Sequence, residues 1–133
     1  MSTDDVTPDP QDASRAARQT HSPLFIVLAG CVPANDTDRV DLTRIVRMAE
    51  LPENVWELPT DRLIAKAVIG FFNRTRHPMP WRVLHDHLQR METDTSDVAA
   101  RWVLLQGFAP DAGQWEWAIE TAWESWRRRE AAS

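Results

Sequence analysis

The chain has no tyrosine, one cysteine and four glycines in 133 residues, and Lys66 is its sole lysine. Each shortage excludes something. A single cysteine, Cys31, rules out an intrachain disulfide and a cysteine-based metal site, and its apolar neighbours mark it as a small buried hydrophobe. Lys66 lies mid-helix between Ala65 and Ala67. A phosphate-binding loop needs a Gly-rich turn ending in Gly-Lys-Ser/Thr, so a Walker-type ATPase is excluded. The longest apolar run, Leu24–Val32, falls well short of the roughly 18–20 residues that cross a bilayer. An acidic, polar segment precedes it, the wrong flank for a signal peptide. These features describe a soluble, cytoplasmic protein. Excess positive charge is also lacking: the net charge is −5 and the pI is near 5.3, against the electropositive face of a general nucleic-acid binder.

Seven Trp and four Phe supply large apolar rings with few hydroxyls to satisfy. Residues 1–22 are rich in Asp, Pro, Ser and Thr and have no apolar period. Asp4, Asp5, Asp9 and Asp12 outnumber Arg15 and Arg18 there, and such a segment buries too little to offset its ordering entropy. The organisation expected is a flexible acidic tail over 1–22 and a single helical domain over 23–133.

The stretch Thr60–Met91 is the expected centre of that domain. Leu63, Ile64, Ala67, Val68, Phe71 and Phe72 recur at the three-and-four spacing of an amphipathic helix that Thr60 would cap. Thr75–Pro80 is a Pro-punctuated turn. Trp81, Leu84, Leu88 and Met91 then line one stripe of a second helix. Before this pair, Pro23 opens a short buried helix, and Asp38 caps a helix running to about Leu51. Val55, Trp56 and Leu58 form an apolar turn plugging the core. Gly70, inside the central helix, marks a close approach by a neighbouring helix. After the pair come a helix from Asp97 to Gln106 that Thr95 or Ser96 caps, stopped at Gly107, and a last helix from about Asp111 to Arg129. The fold class is therefore all-α, a compact orthogonal bundle of about six helices.

Little chemistry is legible. His85 and His87 lie two residues apart, about 200° around a helix, and cannot hold one ion from one face. Glu116, Glu120 and Glu124 stack as a solvated face. No catalytic trio, metal site or cofactor is expected. Two features point to contact with a partner. Trp117 falls opposite the buried stripe of the last helix (Trp115, Ala118, Ile119, Ala122, Trp123 and Trp126), among Glu120, Glu124 and Arg128, and tryptophan is enriched at interface hot spots. Arg127-Arg128-Arg129 is a short basic cluster.

Val27-Leu28-Ala29-Gly30, then Leu63-Ile64 with Val68 and Phe71, then Pro78-Met79-Pro80 with Leu84 and Leu88, and finally Trp102, Leu105, Pro110 and Trp115 follow an order and spacing that resembles the N-terminal domain of DnaB-type replicative helicases. The likeness covers about residues 22–130. It departs from that pattern at Pro80, where the family has a capping Asp, and in lacking a histidine near the start of the central helix. The resemblance implies a helical fold and a role in protein contact, without helicase activity.

The function expected is a non-enzymatic interaction module of DNA replication or of a phage or mobile element, binding a helicase, a primase or itself, with a homodimer as one outcome. Its partner surface would be Trp117, Glu120, Glu124, Arg127 and Arg128. The alternative is a helix-turn-helix DNA-binding regulator with Trp81–Met91 as recognition helix, presenting Arg82, Asp86 and Arg90.

Overall fold

A computed structural model of the chain describes residues 22–34, 39–92 and 94–132. Among these residues there are six α-helices and no strands. They are α1 (Pro23–Ala29), α2 (Leu42–Ala49), α3 (Pro59–Thr75), α4 (Trp81–Arg90), α5 (Ser96–Gly107) and α6 (Ala112–Ala132), with one 3-10 turn at Glu53–Val55. The expected tail lies almost wholly outside the described residues, as does the expected cap Asp38.

The organising element is α1 rather than the α3–α4 pair. Ser22 caps it by accepting a hydrogen bond from the Phe25 amide, and Pro23 occupies the first turn, where a missing N–H costs nothing. Phe25, Ile26, Val27, Leu28 and Ala29 are then all buried. A short helix apolar on every side can only sit in the middle, and α1 packs against α2, α3, α5 and, most extensively, α6. Removing each large side chain from water contributes about 1.5–3 kcal/mol.

Gly30 ends α1 with ordinary helical φ, so its value is space. A β-carbon there would stand 2.3 Å from Cδ1 of Trp115 on α6. The Trp115 indole donates to the Val27 carbonyl at 3.0 Å, and the guanidinium groups of Arg44 and Arg47 on α2 lie over the same ring. Arg47 continues to both oxygens of Glu116 at 2.6 and 2.8 Å. One indole thus joins α1, α2 and α6. Farther along, Trp126 donates to Asn54 at 2.8 Å and Arg129 reaches Glu57 at 3.0 Å, tying α6 to the 3-10 turn and the residues after it.

Several local expectations change. Asp41, not Asp38, caps α2 through the Thr43 amide. Thr60 lies inside α3, because Leu58 takes the cap position and Pro59 starts the helix. Gly70 faces no neighbouring helix; a β-carbon there would meet only the guanidinium of Arg74, at 3.4 Å. At the start of α5 the Asp94 carboxylate accepts from the Ser96 amide, while Thr95 holds the cap position without a side-chain bond. Gly107 is the last residue of α5 instead of following it. Asp111 and Gln114 bond each other's backbone amides at the head of α6, a reciprocal cap. Val55 and Trp56 are buried as expected, but Leu58 and Met91 are exposed. Trp123 and Trp126 are half-buried against the core.

Arg76 stops α3 in the left-handed region, φ 60°, donating its amide to the Phe72 carbonyl at 2.7 Å. Glycine is the usual residue for this stop. Here the Arg76 guanidinium instead covers the Phe72 ring. No helix among the described residues is long and apolar enough to cross a membrane.

Candidate functional site

The outer face of α6 places the expected residues as helical spacing requires. Trp117 keeps 43% of its surface exposed, the most of any aromatic side chain among the described residues. Glu120, Glu124 and Arg128 follow it on the same side and are exposed. Behind the indole, the Thr121 hydroxyl donates to the Trp117 carbonyl at 2.7 Å.

Glu124, Arg127 and Arg128 are already engaged within α6. Arg128 donates to Glu124 one turn back. Arg127 lies over the Trp123 ring, 5.4 Å from its centroid, and so points away from Trp117. Glu120 stands close enough to Arg47 to favour its charged form, though the hydrogen bond from Arg47 to Glu116 is the larger cause of that upward pKa shift. The same bond holds the Glu116 carboxyl below the usual carboxylate range. Trp117 is therefore an exposed indole bordered by Glu120 and by the Glu124–Arg128 pair. Arg129, the third of the arginine run, is drawn away to Glu57 and the Val55 carbonyl.

Two other surface features were missed by sequence reasoning. Leu58 and Leu104 line one shallow depression between the start of α3 and the side of α5, with Pro59, Ala100 and Arg101. Leu58, Val103 and Leu104 are 51%, 63% and 56% exposed. The signal for this patch was present: from Val98 to Leu105 only Arg101 breaks an apolar run, wider than the single stripe that a core-facing helix needs.

The second feature is a cleft of about 250 Å³ between α3 and α4. Met79 and Leu84 form its buried floor with Ala67 and Val83, while Arg74, His87 and Arg90 stand around it with Asp86. No local pattern could find it, because Arg74 and Arg90 come from different helices.

Among the described residues no group of three or more His, Cys, Asp or Glu side chains could hold a metal ion. His85 packs against the Trp81 ring, 5.5 Å between centroids, and His87 turns to the cleft. Cys31 is fully buried and burial pushes its thiol far above the ordinary value, which removes the thiolate a nucleophile needs. Trp102 Nε1 is buried without a hydrogen-bond partner, but the ring is packed in the core against Trp81.

No family model matches the chain, and no characterised protein or solved structure is significantly similar to it.

Proposed function

We propose that this chain is a non-enzymatic protein-interaction module, an orthogonal helical bundle similar to the N-terminal domain of DnaB-type replicative helicases, serving DNA replication or a phage or mobile element. It works by contact, with a helicase, a primase or a second copy as partner. The observation that carries this reading is Trp117: an indole left in water on a face otherwise made of charged and hydroxyl side chains. An exposed tryptophan ringed by polar groups is the arrangement of an interface hot spot, where a buried aromatic centre contributes most of the affinity. The exposed Leu58, Val103 and Leu104 supply a second apolar area, at the start of α3 and on α5.

The test uses the replicative helicase and primase from the same source, each purified. Wild-type chain should retain at least one of them, or itself, on an affinity matrix, and Trp117→Ala should lose that retention while its far-ultraviolet dichroism stays the same. Equal retention by both chains removes Trp117 from the interface.

A second reading has one observation in its favour. Arg82, Asp86 and Arg90 are all exposed on α4, as a DNA-recognition helix would present them. The net charge of −5 opposes it. Tight, salt-sensitive binding to duplex DNA in a gel-shift would favour the regulator over the interaction module.

A further inference from the structure

The α3–α4 cleft has two arginines, Arg74 and Arg90, above an apolar floor. The side chains of Arg74, His87 and Arg90 make no hydrogen bond or ion pair with any described residue. The volume, about 250 Å³, exceeds the roughly 150 Å³ that suffices to hold a benzene ring in a protein interior. An occupant fitting this site has one flat apolar group and acidic groups beside it. The α6 face has that make-up: Trp117 at its centre, with Glu120 and Glu124 within two turns.

We propose that the cleft receives the α6 face of a second copy of this chain. The Trp117 indole rests on Ala67 and Val83, the partly exposed members of the floor, and Glu120 and Glu124 face Arg74 and Arg90. Asp86, the acid beside the cleft, meets Arg128, the cation on the same side of α6. The Glu124–Arg128 contact is an exposed pair one turn apart, and such pairs contribute so little that exchanging partners costs little. The proposal rests on the reading that the α6 face is the contact surface, and it adds the identity of the partner and of the receiving site.

The two patches are different, so each copy offers one donor face and one receptor cleft. Such a contact closes as a two-fold pair when the rotation at each step is 180°, and otherwise runs on into a larger ring or an open chain.

The experiment is analytical ultracentrifugation of three full-length chains: wild type, the cleft variant Arg74→Glu/Arg90→Glu, and the face variant Trp117→Ala. All three altered positions are exposed, and circular dichroism checks that each variant folds. Wild type should form a dimer or larger species as concentration rises. Each variant alone should be monomeric, with association weakened by ~30-fold or more, the scale of a hot-spot truncation. An equimolar mixture of the variants brings one intact cleft together with one intact face, and it should form a heterodimer and nothing larger. A wild type that stays monomeric, or a mixture that fails to pair, overturns the proposal. If a monomeric wild type retains a helicase or primase through Trp117, the pairing is wrong while the α6 face stands as a contact surface.

Discussion

Arg101 on α5 donates from Nε and Nη2 to the two oxygens of Asp61 on α3, at 2.7 and 2.9 Å, across 40 residues of sequence. Asp61 is 3% exposed and is the one buried charged side chain among the described residues. It also lies in the first turn of α3, where the helix dipole favours an anion. The Arg101 guanidinium lies over the Phe25 ring, 4.7 Å from its centroid, so the pair joins α3 and α5 to the central helix α1.

Breaking this pair from one side should therefore be costly. Arg101→Met leaves a buried carboxylate without compensation, a change of about 3 kcal/mol. Asp61→Leu combined with Arg101→Met should recover much of that loss, because two apolar groups leave no orphaned charge. Urea unfolding of the two single variants and the double variant checks both statements through the coupling energy.

Gly30 and Gly70 should respond to alanine with opposite sign. At Gly30 a methyl group would stand 2.3 Å from Trp115, and displacing that indole disturbs the joint of α1, α2 and α6. Gly30→Ala should lower stability by about 1–3 kcal/mol. At Gly70 the methyl meets only the mobile end of Arg74, at ordinary contact distance. Gly70→Ala should raise stability by about 0.5–1 kcal/mol through better helix propensity. Thermal denaturation of both variants reads the contrast.

Two buried tryptophans make a similar pair. Trp115 Nε1 donates to a buried carbonyl, whereas Trp102 Nε1 has no partner. Trp115→Phe loses ring volume and leaves the Val27 carbonyl without that donor. Trp102→Phe loses the same volume but also removes an unsatisfied N–H. Trp115→Phe should be the more destabilising by about 1–2 kcal/mol, measured by chemical denaturation.

Acid should weaken the fold through specific carboxylates. The hydrogen bond from Arg47 lowers the Glu116 pKa, and the Thr43 side-chain hydroxyl lowers that of Asp41. Because the folded values lie below the unfolded ones, the stability they contribute is complete above about pH 4–5 and is lost as pH falls through the folded values. Arg47→Met should flatten the acid side of a plot of Tm against pH, and an unchanged profile would remove Glu116 from the account.

Much of the helical framework was legible in sequence because it follows from local spacing. Pro23 followed by an unbroken apolar run, and the stripe Trp115, Ala118, Ile119 and Ala122, need no knowledge of neighbours. The exposed position of Trp117 follows from the same 100° step. What was illegible depends on pairs far apart in the chain. Asp61 reads as a helix-start acid until Arg101 is brought to it, and Gly30 as a helix stop until Trp115 fills its space. The close approach expected at Gly70 is instead at Gly30. The caps of α3 and α2 fall two and three residues from the expected Thr60 and Asp38, at Leu58 ahead of Pro59 and at Asp41. The cleft could not be read at all, since Arg74 and Arg90 become neighbours only when α3 and α4 fold together.

The central claim is that Trp117 is uncovered in the lone chain and covered in its working state. Hydroxyl-radical footprinting with mass spectrometry measures this directly, using buried Trp115 on the same helix as the internal reference. Trp117 should be oxidised readily in dilute protein and become protected as the chain is concentrated or given its partner, while Trp115 stays protected throughout. Oxidation of Trp117 at the same rate under every condition would contradict the account.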